Sequence, residues 1–253
     1  MKKNYIPLAN KAATLQINEL KKIRKVFNNS FNKAVELILG CKGKVIFAGI
    51  GKSGLIARKV SATFSSVGIP SFFCDPAQAL HGDMGQIEKK DILVIFSYSG
   101  NTSELTNMLK YANRYRIKII GVASKPDSIL LKASDIKLVV PKVKESDLTG
   151  MVPTTSTSIT LLLGDCLATT VMHQKKFSKE KFKVFHPGGN IGGTLLLAKD
   201  IMIDGKKMPI VDHKKQLREI LKVMNEKKLG IVVIIKNKFI SGLLTDGDLR
   251  RGI

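Results

Sequence analysis

An alternation constrains this chain more than any other feature: five short β-rich runs, each separated from the next by a stretch with helical character. The runs are KVIFAG (44–49), PSFFC (70–74), DILVIFS (91–97), IKIIGVA (117–123) and IKLVV (136–140). Strand, helix, strand in that rhythm is the signature of parallel βαβ units, whose helices cover both faces of one sheet. The reading is therefore α/β, with a doubly wound, five-stranded parallel sheet flanked by helices. Ahead of the first run, Leu15, Leu20, Ile23, Val26, Phe27, Phe31, Val35 and Ile38 recur at helical spacing, which predicts one helix over about 8–39, ended by Gly40 and Gly43. After the last run, Pro153 and TTSTS open a long apolar helix over roughly 154–173.

A glycine-dense loop, HPGGNIGG, occupies 186–193. From about Asp200 the character changes to a small α/β module: a helical run near 214–227, a strand GIVVIIK, a turn Asn237-Lys238, and a strand read from Phe239 through DGDLRR. Two domains are expected, 1–198 and 199–253.

Composition narrows the class. With 253 residues, 44% of them hydrophobic, the chain can bury a full core. Its longest apolar runs fall far short of the roughly 18 residues of a membrane span. The start, MKKNYIPLAN, lacks the apolar stretch of a secretory signal. A cytoplasmic protein without membrane contact is expected. Cys41, Cys74 and Cys166 are odd in number and widely spaced, which suits buried reduced thiols better than disulfides or a metal knuckle. The net charge of +22 raises nucleic-acid binding. Yet the excess is almost all lysine, scattered in ones and twos beside only seven arginines, so a solvated lysine coat is expected instead. Such a coat still draws anionic small molecules toward a cleft.

In open parallel sheets ligands bind at the carboxyl ends of the strands, and three places there carry chemistry. Gly49-Ile50-Gly51-Lys52-Ser53-Gly54 follows the first strand. It fails as a Walker A loop, because Ile46 stands where the first glycine belongs. It does fit G-x-G-x-x-G, with Asp75 ending the next strand, so a dinucleotide reading stays open. Either way a helix start with Lys52 and Ser53 suits an anion. The loop after the third strand, Ser97-Tyr98-Ser99-Gly100-Asn101-Thr102-Ser103-Glu104, crowds hydroxyls and an amide at another helix start, a cup for a terminal phosphate. Last come acid–base candidates: Glu104, Glu145, His81 and His186. Moving a proton between adjacent carbons through an enediol needs a base, here a carboxylate raised in pKa by burial, and a cation or donor for the developing oxyanion.

With these loops in place, VIFAGIGKSG, FCDPAQALHGDMG, VIFSYSGNTSE, PTTSTS and FHPGGNIGG resemble a sugar isomerase (SIS) domain, a flavodoxin-like three-layer sandwich. The whole, including LTDGDLRRG, resembles the arabinose 5-phosphate isomerase family. The tail is similar to the first of two cystathionine-β-synthase-type (CBS) motifs, so a partial CBS module is expected. The resemblance implies interconversion of D-ribulose 5-phosphate and D-arabinose 5-phosphate, feeding octulosonate synthesis for lipopolysaccharide, with no metal or cofactor and a homotetrameric assembly. It implies Lys52, Glu104, Glu145 and His186 as catalytic residues, and Gly51, Ser53, His81, Ser97, Ser99, Asn101 and Thr102 around the substrate. Two other classes compete: a non-catalytic SIS-domain sugar-phosphate sensor, and a dehydrogenase built on the first glycine loop.

Overall fold

All five expected runs form strands in the computed structural model, which describes residues 3–186 and 197–252. They are β1 (Val45–Gly49), β2 (Ser71–Cys74), β3 (Ile92–Phe96), β4 (Lys118–Ala123) and β5 (Ile136–Val139), all parallel, in the order β2-β1-β3-β4-β5. The central strands are continuous apolar runs because both faces are covered. Side chains alternate across the sheet: Phe47, Val94, Phe96, Ile120 and Val122 join one core, while Ile46, Leu93, Ile95 and Ile119 join another. Helices α2 (Asn29–Leu39), α3 (Gly51–Ser66) and α7 (Thr155–Gln174) cover the first face. The short α4 (Pro76–Ala79), α5 (Leu105–Arg114) and α6 (Ile129–Ala133) cover the second. This is the three-layer α/β fold read from the sequence.

The N-terminal segment differs from the single expected helix. It forms α1 (Ile6–Leu20), a 3-10 turn (Lys21–Val26) and α2. The break comes where Phe27 leaves helical geometry and Asn28 turns extended, its side chain accepting from the Ser30 N–H to start α2 afresh. Burial explains the division: α2 buries Phe31, Ala34, Val35 and Ile38, whereas α1 buries no residue. Among the three cysteines, Cys74 is buried while Cys41 and Cys166 are only half-buried, and all are free thiols.

Contacts divide the chain into two compact units at 193/194. The first ends its described part in α8 (Lys179–Phe185) and His186; the rest of the expected HPGGNIGG loop lies outside the described residues. The second contains the short α9 (Ala198–Ile201), a three-stranded sheet, and α10 (Leu217–Lys227). Its strands β6 (Ile210–Asp212), β7 (Ile231–Lys236) and β8 (Phe239–Thr245) run parallel and then antiparallel. Asn237 and Lys238 both have positive φ, as the tight turn between β7 and β8 requires. The expected strand through DGDLRR stops at Thr245, and Asp246–Gly252 is helix α11. The Asp248 carboxylate accepts from the Thr245 N–H and hydroxyl, which caps that helix. Those bonds, with Arg251 beside it, push the Asp248 carboxyl down to about 2. Among the described residues no helix is long and apolar enough to cross a membrane.

Candidate active site

Strand order reverses between β1 and β3, the position where open α/β sheets form their ligand crevice. A cavity of about 640 Å³ opens there, a volume suited to a small molecule. Every strand of the sheet except β2 sends a following loop into its wall. Lys52 and Ser53 come from the start of α3; Ser97, Ser99 and Thr102 from the turn after β3; Ser124 and Lys125 from the loop after β4; Lys142 and Glu145 from the segment between β5 and α7.

The turn after β3 is rigidly built. Gly100, at φ +71, donates its N–H to the carbonyl and hydroxyl of Ser97, and a Cβ there would collide with the Ser128 side chain. Asn101 accepts from the Ile129 N–H at 3.0 Å, which ties the turn to α6. Ser97 and Thr102 share a hydroxyl hydrogen bond of 2.8 Å. Beside them, the first turn of α3 presents backbone N–H groups with no side-chain cap at Ile50, the arrangement that favours an anion.

Gly49 and Gly54 owe their glycine identity to packing. A Cβ on Gly54 would lie 2.6 Å from the Gly49 carbonyl oxygen, and one on Gly49 would lie 2.9 Å from that of Phe96. Asp75 is engaged as well, accepting from the Ala77 N–H as the cap of α4. The G-x-G-x-x-G spacing thus has a structural cause: α3 sits backbone to backbone against β1.

Glu145 reverses an expectation. Burial acts to raise its pKa, but the Ser156 and Thr154 side chains and N–H groups outweigh it and hold the carboxyl below the ordinary value of 4.5. The three direct bonds, from Thr154 N, Thr154 Oγ1 and Ser156 N at 2.8, 2.9 and 3.2 Å, all land on Oε2. Thr154 is the N-cap residue of α7 and makes no cap bond of its own. The carboxylate substitutes for that cap, and the positive end of a 20-residue helix keeps it ionised.

Of the site residues read from the sequence, the cavity gathers Lys52, Ser53, Ser97, Ser99, Thr102 and Glu145. The others are not among its lining residues. Gly51, at φ +57, borders a shallower groove with Arg58 and Phe73. Asn101 holds the β3 turn from behind. Glu104 is exposed, its carboxyl held low by its own backbone N–H and the Ser103 hydroxyl. His81 is exposed in the turn after α4. His186 directly follows α8, stacked on Phe182 at 3.8 Å with Nδ1 donating to the Phe182 carbonyl at 2.9 Å.

Sequence reasoning passed over Ser124, Lys125, Lys142 and Thr160, all of which line the cavity, and quoted Tyr98, Ser156 and Thr157, which line it too, only within longer motifs. Applying the carboxyl-end rule to β4 and β5 would have found the two lysines. Three lysines and one glutamate give the wall a net charge of +2, and none of those lysines has an ion-pair partner among the described residues. Within the same residues no three His, Cys, Asp or Glu side chains gather as a metal-ligand set.

Known proteins resemble the chain in sequence and fold. A SIS domain family model matches residues 38–170. The chain is 37% identical over 251 residues to a probable arabinose 5-phosphate isomerase of Haemophilus influenzae, covering 99% of this chain and 74% of that protein. It is 41% identical over 234 residues to the arabinose 5-phosphate isomerase KdsD of Escherichia coli, covering 92% and 71%. An Escherichia coli protein solved in complex with arabinose 5-phosphate superimposes with a TM-score of 0.70 at 32% identity, over 72% of this chain and 97% of that one. The chain belongs to the arabinose 5-phosphate isomerase family of SIS-domain enzymes.

Proposed function

We propose that this enzyme interconverts D-ribulose 5-phosphate and D-arabinose 5-phosphate through an enediol, in the cavity at the ends of β1 and β3. One observation carries the reading: a cluster of hydroxyls, three lysines without an ion-pair partner among the described residues, and a fixed carboxylate share one cavity. Ser97, Ser99 and Thr102, with Ser53 and the start of α3, hold the phosphate. Glu145 takes a proton from carbon 1 of the ketose, exchanges it with solvent at the enediol stage and delivers a proton to carbon 2. Meanwhile the hydroxyl proton on the carbon 1 oxygen passes to the carbon 2 oxygen, and the carbonyl moves to carbon 1. Lys52 stabilises the oxygen that becomes negative between those steps. A carboxylate already ionised at neutral pH needs no prior deprotonation to serve as the base.

Glu104 and His186, outside the cavity of this single chain, act in the assembled oligomer, for which a homotetramer is proposed; His186 then assists ring opening from a neighbouring subunit. His81, Gly51 and Asn101 shape and support the substrate loops. The second unit is a partial CBS module. In the cell the product supplies 3-deoxy-D-manno-octulosonate for lipopolysaccharide, in the cytoplasm.

The test is incubation of the purified protein with ribulose 5-phosphate in deuterium oxide. Arabinose 5-phosphate carrying deuterium at carbon 2 is the expected product. Turnover without any label would exclude a solvent-exchanging enediol, and absence of turnover would return the chain to the sugar-phosphate sensor class.

A further inference from the structure

Helix α1 buries no residue, yet it holds both neighbours of Glu145. On one side, Glu19 Oε2 accepts from the Lys144 N–H at 2.9 Å while pairing with Lys22. On the other, Gln16 Nε2 donates to Ser146 Oγ at 3.1 Å, and the Ser158 hydroxyl of α7 shares its proton between Gln16 Oε1 at 3.1 Å and the Thr154 carbonyl at 3.0 Å. From Ser146 the bonding runs on to the carboxylate. Ser146 Oγ donates to Thr154 Oγ1 at 3.1 Å, and Thr154 Oγ1 donates to Glu145 Oε2 at 2.9 Å. Every hydroxyl in the series can point the same way, from the Gln16 amide toward the negative charge. Chains of that kind polarise each donor in turn and strengthen the terminal bond.

We propose that Gln16 is a positioning residue for the isomerase reaction: through Ser146 and Thr154 it fixes Oε2 of Glu145 on the start of α7 and so keeps Oε1 for the substrate. This rests on Glu145 being the base. An amide is required at position 16, because only a side chain that donates at one end and accepts at the other can join Ser146 to Ser158 in this direction. A glutamate has nearly the same shape but, ionised, only accepts. It would turn the Ser146 hydroxyl away from Thr154.

The experiment compares Gln16→Ala, Gln16→Glu, Thr154→Val, Thr154→Ser and Glu145→Gln in the full chain, reading kcat, KM, thermal unfolding and the pH profile of kcat/KM. Both Gln16 variants should lower kcat on the order of fivefold, the worth of one net hydrogen bond, with KM unchanged and the protein still folded. Their acid limb should move to higher pH. The donor chain favours the ionised carboxylate, so breaking it raises the Glu145 pKa. The other titratable groups facing that segment, Lys52 from α3, Lys125 after β4, Lys142 and Lys144, the Tyr98 hydroxyl after β3, and Glu19 from α1 with its partner Lys22, are the same in every variant. Thr154→Val should act in the same direction and more strongly, while Thr154→Ser, which keeps the hydroxyl, should restore kcat. Unchanged kcat and acid limb in folded Gln16 variants, or a rise in KM alone, would overturn the proposal. Retained turnover in Glu145→Gln would instead remove the base assignment on which it rests.

Discussion

Lys125 and Lys142 show how far one residue type can mislead at the scale of single positions. In the sequence they belong to a lysine excess that reads as a solvated coat, and most of that excess is such a coat. These two stand directly after β4 and β5, and with Lys52 they face a cavity whose one carboxylate among the described residues is Glu145. An exposed ammonium gains little from a distant charge in water, but one at the rim of a cavity that takes up a dianion is used in both the ground state and the transition state. Replacing Lys142 or Lys125 with alanine should therefore raise KM for the sugar phosphate about tenfold and leave kcat nearly unchanged, the mark of binding felt equally before and during reaction. Steady-state kinetics of the two variants would check this; a fall in kcat at constant KM would place the lysine in the chemistry instead.

At the scale of elements, the strands were legible because they are buried on both faces and so appear as unbroken apolar runs, each found within two residues of the expected ends. Two elements were misread, and for a common reason. The break at Asn28 and the switch from strand to helix at Asp246 are both set by side-chain caps on the backbone, Asn28 to Ser30 in one and Thr245 with Asp248 in the other. Hydrophobic periodicity does not register such local bonds. The candidate site divides the same way: residues on loops straight after strands were readable by position, whereas Ser156, Thr157 and Thr160 sit inside α7 and reach the cavity only because that helix packs along α3. α3 is itself seated on β1 by the contact between Gly54 and Gly49, where a methyl group would meet backbone and not a movable side chain. Gly54→Ala should accordingly destabilise the fold by about 1–3 kcal/mol, the usual cost of overpacking. Because the same shift moves Lys52 and Ser53, it should raise KM too. Urea unfolding and kinetics on one preparation would test both parts, and an undisturbed midpoint would mean that α3 can back away from β1 freely.

For the whole molecule the ruling quantity is charge: 42 basic against 20 acidic side chains, a net of +22. A field of that sign does not determine a fold, but it raises the local concentration of an anionic substrate and its rate of encounter with a positive cavity. In the proposed reaction the composition and the site serve one end: the coat attracts over long range and the lysines at the rim capture at short range. The two contributions separate by their response to salt. Raising ionic strength from about 0.01 M to about 0.1 M shortens the screening length from about 30 Å to about 10 Å, which cuts off the distant lysines while leaving Lys52, Lys125 and Lys142 within reach of a phosphate at the rim. For the wild-type enzyme kcat/KM should fall severalfold over that range while kcat at saturating substrate stays nearly constant. In Lys142→Ala the short-range capture is weakened but the coat is intact, so its kcat/KM should start lower and fall with nearly the same slope. A variant whose salt dependence vanished entirely would show that the cavity lysines alone create the field, and that the coat contributes nothing to substrate capture.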